Sequence, residues 1–141
     1  MTAETAANQL AASEIVFVDD TPQMLQLARA MLQQMGYRVA SFACPLVALD
    51  YLTESDSAKR GIALLITDQS MPKMTGLELI SAVRKIRSDL YTVLATSVPD
   101  TRQLRAYLDR GADAVLPKPF TMDDLRSLAS EFAGAPPNQP A

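Results

Sequence analysis

The chain has 141 residues, 48% of them apolar and 21% charged, with a net charge of −3 and a pI of about 4.8. That length suits one folded domain, the composition is that of a globular protein rather than a disordered one, and an acidic balance without a basic run argues against direct nucleic-acid binding. A single cysteine, Cys44, excludes an internal disulfide, and with no histidine any chemistry must rest on oxygen ligands, lysine or hydroxyls.

The opening MTAETAANQLAAS has neither the positive region nor the continuous apolar stretch of a signal peptide, so residues 1–12 are expected to form a tail. No later apolar run approaches the ~18 residues of a membrane span, and the expected location is the cytoplasm. EIVFVDD reads as a first strand. In TPQMLQLARAMLQQMG, Thr21 can cap a helix and Pro22 can take its first position, while Met24, Ala28, Met31 and Met35 recur at helical spacing and Gly36 ends the run.

YRVASFA is a second strand, CPLVALDYLTESD a second helix, and GIALLITD a third strand apolar enough to be buried on both faces. After MPKMTG, LELISAVRKIR repeats Leu77, Ile80, Val83 and Ile86 near the helical period; Gly76 fits the helix start and Pro72 stops the strand from continuing. DLYTVLATS is strand four, TRQLRAYLDRG a helix stopped by glycine, ADAVLPKP strand five, and TMDDLRSLASEF a last helix capped by Thr121. AGAPPNQPA then offers nothing to bury, and residues 134–141 are expected to be a disordered tail beyond a domain spanning 13–133.

Strands and helices in strict alternation predict an α/β fold, a flavodoxin-like doubly wound sheet of five parallel strands in the order 2-1-3-4-5, flanked by five helices. Ligands of such folds bind beyond the carboxyl ends of the strands. There this sequence puts Asp19 and Asp20, Asp68, Thr96 and Ser97, and Lys118. Three crowded acids with oxygen-only donors suit a hard cation such as Mg²⁺, and a neighbouring lysine suits a phosphoryl group. Taken singly each has a plainer reading: Asp20 as a helix cap, Thr96 as a turn residue, Lys118 as a solvated loop lysine. Their coincidence on one edge favours the site.

In this order and spacing, the Asp19-Asp20 pair, Asp68 followed by SMPKMTG, Thr96, and LPKPF around Lys118 resemble the receiver domain of two-component response regulators. The resemblance implies that Asp68 is the phosphoacceptor and that Asp20, Asp68 and the Ser70 backbone carbonyl hold Mg²⁺, with Asp19 acting through water. It also implies that Lys118 and Thr96 bind the phosphoryl oxygens and that the Lys118-Pro119 peptide is cis. Where many receivers carry an aromatic residue three positions before the lysine this chain has Val115, which implies a weaker or differently routed switch. Ser97 and Ser70 stand where they could tune the acyl phosphate lifetime or be plain surface hydroxyls. Leu25 fits either a docking surface for the phosphodonor or a widened core stripe, and Cys44, before Pro45, is better read as filler than as a reactive thiol.

The expected function is that of a single-domain response regulator, not an enzyme. It would take its phosphoryl group from a histidine kinase or histidine phosphotransfer protein. It would signal by protein contact through helix four, strand five and helix five, with room for homodimerisation on phosphorylation. Met1 and the two tails favour a free-standing chain. The alternatives are a phosphate-sink or relay receiver like those of hybrid histidine kinases, a receiver-like scaffold that is never phosphorylated, and a Mg²⁺-dependent phosphohydrolase using Asp68. The last is weakened because Ser70 stands where the general acid would.

Overall fold

Alternating apolar strands and amphipathic helices give the expected doubly wound sheet. In the computed structural model, which describes residues 14–54, 61–87, 89–97 and 101–134, the strands are β1 (Glu14–Val18), β2 (Arg38–Phe42), β3 (Ile62–Asp68), β4 (Tyr91–Ser97) and β5 (Ala114–Lys118). All neighbours pair in parallel, in the order β2-β1-β3-β4-β5. Between and after them run α1 (Pro22–Gln34), α2 (Pro45–Glu54), α3 (Gly76–Ile86), α4 (Thr101–Asp109) and α5 (Met122–Ala133). The expected tail at 1–12, all of the expected tail at 134–141 beyond Gly134, and the end of the second predicted helix lie outside the described residues.

Side chains alternate across a strand, so the central strands feed two cores at once. Ile15, Phe17, Leu64 and Ile66 pack toward Ala28 and Leu32 of α1 and Leu125 and Ala129 of α5. Val16, Val18 and Leu65 pack toward Ala48 and Leu52 of α2 and Leu79, Ile80 and Val83 of α3. This two-sided burial is why β1 and β3 read as unbroken apolar runs.

Two local expectations need correction. Of the expected α1 stripe, Ala28 is fully buried and Met31 and Met35 pack half-buried against the core, but Met24 lies outside it, and the stripe also takes in the fully buried Leu32 and the half-buried Leu25. Leu25 therefore belongs to the core edge. Helical spacing leaves the width and edges of the stripe open, and the facing sheet sets them. Thr21 stands at the α1 N-cap, yet its hydroxyl caps nothing; its own N–H donates to Asp19 Oδ1 at 2.9 Å in a local carboxylate turn. Ala133, the expected last residue of the domain, is buried at the end of α5.

Just beyond it, the Gly134 carbonyl accepts a 2.6 Å hydrogen bond from the Tyr37 hydroxyl, tying the end of α5 to the turn after α1. Burial pushes the Tyr37 phenol above its ordinary pKa. Its proton is thus held more tightly in the folded chain, so the stability it confers is complete below about pH 10 and is lost as pH rises through the elevated folded value. Tyr37→Phe should cost about 1 kcal/mol in urea unfolding at pH 7, and the gap from wild type should narrow in alkaline buffer. A gap that stays constant through that range would contradict this.

At the opposite end of the sheet from the carboxyl edge, Arg84 of α3 gathers three segments. Its guanidinium donates to the Leu90 carbonyl at 2.8 Å, the Gly111 carbonyl at 3.3 Å, the Thr92 hydroxyl at 3.3 Å and the Asp113 carboxylate. Asp113 in turn accepts the Thr92 N–H at 2.8 Å. The starts of β4 and β5 are thereby locked together. By contrast α4 buries no residue; Tyr107 packs half-buried on the core, while Leu104 and Leu108 are exposed.

Candidate functional site

Asp19 follows the last residue of β1, Asp68 ends β3, and Lys118 ends β5, so strand termination alone brings them to one edge. Carboxylate oxygens of Asp19, Asp20 and Asp68 all lie within 4.8 Å of one another. The Lys118 ammonium reaches in from β5 to Asp68 Oδ1 at 2.7 Å and Asp19 Oδ2 at 3.1 Å. Asp19 is wholly buried with both oxygens engaged, one by Lys118 and one by the Thr21 N–H, whereas Asp20 is half-exposed. The peptide between Lys118 and Pro119 is cis.

Burial raises the pKa of Asp68; the charges of Asp19 and Asp20 push it the same way, and the hydrogen bond and charge of Lys118 oppose them. For Lys118, burial alone would lower the ammonium's pKa, but its bonds to Asp68 and Asp19 and their charges outweigh burial and raise it. The cluster is therefore short of positive charge: one ammonium faces three acids. The donor set fits a hard divalent ion, since every available ligand is oxygen and the three carboxylates already converge.

Thr96 is buried on β4, one residue beyond Ala95, the register partner of Asp68, and it pairs with Pro117 beside Lys118. Ser70 is exposed at the start of the loop after β3, and Ser97 is exposed at the end of β4. Val115 is half-buried and pairs with Leu94. At Cys44, half-exposed before α2, the backbone N–H groups of Val47 and Leu46 lower the thiol pKa. The sequence thus located each acid, the hydroxyl and the lysine on the correct edge.

It did not reveal two supporting contacts. Gly76 packs so closely on β3 that a Cβ there would lie 2.2 Å from the Asp68 carbonyl oxygen and 2.8 Å from Leu94 Cδ1. Gln69, next to Asp68, accepts the Leu77 N–H on its side-chain oxygen at 2.9 Å. A glycine at a helix start is a weak hint of close approach; a glutamine eight residues before its partner gives no local signal.

A family model described as the response regulator receiver domain matches residues 15–130. The chain is 29% identical over 124 residues to a chemotaxis protein CheY homolog of Campylobacter jejuni, covering 86% of this chain and 92% of that protein. It is 30% identical over 139 residues to the sensor histidine kinase AruS of Pseudomonas aeruginosa, but spans only 13% of that kinase's length while 93% of this chain is covered. It spans 47% of a transcriptional regulatory protein CpxR homolog of Haemophilus influenzae, 31% identical over 113 residues that make up 80% of this chain. Among solved structures, the response regulator receiver domain protein of Clostridium thermocellum superposes with a TM-score of 0.76 at 28% identity, covering 86% of this chain and 94% of that one. Strand order, the converging acids and a match that leaves out only the two ends of the chain lead to one conclusion: the protein belongs to the response regulator receiver domain family of two-component signalling.

Proposed function

We propose that Asp68 accepts a phosphoryl group from the phosphohistidine of a histidine kinase or histidine phosphotransfer protein. The observation that carries this reading is the Asp68 carboxylate, held 2.7 Å from the Lys118 ammonium inside a three-acid group at the sheet's carboxyl edge. A carboxylate oxygen of Asp68 would attack phosphorus as the bond from phosphorus to the imidazole nitrogen breaks, and the electron pair leaves with the imidazole. Mg²⁺ bound by Asp20, Asp68 and the Ser70 carbonyl would neutralise the equatorial phosphoryl oxygens. Asp20 suits direct ligation because its carboxylate makes no hydrogen bond among the described residues, while Asp19, buried and doubly engaged, suits a role through water. Lys118 orients and compensates the transferring group, and Thr96 offers a hydroxyl from β4.

Phosphorylation adds charge where one lysine already serves three acids, and the change is read by a protein partner on α4, β5 and α5. The exposed Leu104 and Leu108 of α4 support that face. With Val115 in place of a ring, the coupling from Thr96 to that face is weaker or follows another route. The site acts in the cytoplasm, and among the described residues no helix is long and apolar enough to cross a membrane.

The test is to incubate the chain with a small phosphodonor and Mg²⁺ and to measure the intact mass. Wild type should gain one phosphoryl group and Asp68→Asn none; no gain in either would leave only the scaffold reading. A relay role has its own support, the alignment of nearly the whole chain to a sensor histidine kinase. It predicts that the phosphorylated chain passes its group back to a histidine phosphotransfer protein.

A further inference from the structure

The loop of residues 70–75 leaves β3 and returns to α3, and both of its ends are fastened to Gln69. The Gln69 N–H donates to the Ala95 carbonyl at 3.0 Å, extending the β3-β4 ladder one residue past Asp68. The Gln69 carbonyl accepts the Gly76 N–H at 3.0 Å, and its side-chain Oε1 accepts the Leu77 N–H at 2.9 Å. Helix starts leave their first N–H groups without intrahelical partners. In α3, Gln69 satisfies two of them, and the Thr75-Glu78 capping box, with the Thr75 hydroxyl accepting the Glu78 N–H at 3.1 Å, satisfies a third.

The far side of the loop is anchored too. Met71 is buried among the α2 and α3 core residues, and the Met74 N–H donates to the Pro72 carbonyl at 2.8 Å. Ser70 is thus held between a residue tied by three hydrogen bonds and a buried methionine. Two of the three Gln69 bonds use backbone atoms that any residue supplies. The third requires a side-chain acceptor of glutamine's reach.

We propose that Gln69 is a positioning residue for the metal site. By capping α3 at Leu77, its side-chain amide holds the start of the loop, and with it the Ser70 carbonyl, in register with Asp20 and Asp68. This inference rests on the reading of that carbonyl as a Mg²⁺ ligand. Partners one shell outside a metal typically change its affinity by about 10-fold or more when removed.

The test compares Gln69→Leu, which removes the acceptor, with Thr75→Ala, which weakens the same helix start through the capping box but leaves the Gln69 bonds in place. Mg²⁺ affinity is measured by titration calorimetry, urea unfolding gives stability, and hydrogen exchange of the Gly76 and Leu77 amides is followed in the metal-free chain. Gln69→Leu should bind Mg²⁺ about 10-fold more weakly and lose protection at Leu77, while Thr75→Ala should keep wild-type affinity despite a comparable loss of stability. Equal affinity losses in both variants, or none in Gln69→Leu, would overturn the proposal by leaving Gln69 as a plain helix cap. Failure of wild type itself to bind Mg²⁺ would instead overturn the metal reading, and this inference with it.

Discussion

Gly76→Ala is expected to destabilise the chain by about 3 kcal/mol or more, at the upper end of what overpacking usually costs. The added Cβ would sit 2.2 Å from the Asp68 carbonyl oxygen and 2.8 Å from Leu94 Cδ1. Neither neighbour can yield easily. The carbonyl belongs to a strand paired on both sides, and Leu94 is fully buried in β4. Relief must come from moving α3 away from β3, which breaks the Gly76 bond to Gln69 and shifts the loop carrying Ser70. Urea unfolding measures the loss, and phosphoryl uptake by the surviving folded fraction should fall as well. A cost below about 1 kcal/mol would mean that the strand and helix separate freely, against the close packing of protein interiors.

Lys118→Ala should have two separable effects. Without Mg²⁺, removing the ammonium leaves the fully buried Asp19 and the nearly buried Asp68 without their cation. Breaking a buried pair from one side costs about 3 to 5 kcal/mol, and the partial exposure of Lys118 favours the lower figure. Added Mg²⁺ should recover part of that loss, because an ion bound only by the folded chain stabilises it by mass action. Phosphoryl uptake should stay low even at saturating Mg²⁺, by about 100-fold, as when one fixed donor is taken from a charge-stabilising site. Urea unfolding with and without Mg²⁺, alongside uptake followed by intact mass, checks both. Full recovery of the uptake rate by Mg²⁺ would show that Lys118 serves stability alone.

The legible part of this molecule was whatever depends on the order of residues along the chain. A parallel strand buried on both faces cannot hide its apolar run, so β1 and β3 declared themselves, and residues ending such strands must emerge at one edge. Asp19, Asp20, Asp68, Thr96 and Lys118 were found that way. What stayed hidden depends on a neighbour. That α1 adds Leu32 and Leu25 to its buried stripe and leaves Met24 out is decided by the sheet surface beneath it. The Thr21 hydroxyl caps nothing, while its N–H donates to Asp19, a contact that only the folded turn brings about. Arg84 reads as one more charge in a helix's last turn, and only the fold brings it to Leu90, Thr92, Gly111 and Asp113.

That arginine gives the sheet a mechanical asymmetry. It clamps the bases of β4 and β5 and leaves their tips, at Thr96 and Lys118, to meet whatever arrives at the acids. The ladders that join β4 to β3 and to β5 run on to Ala95 and Ser97, so the tips of β4 and β5 are coupled to each other and to the strand that carries Asp68. The flank bearing α4, which contributes only the half-buried Tyr107 to the core, is the most lightly packed part of the sheet's surroundings among the described residues.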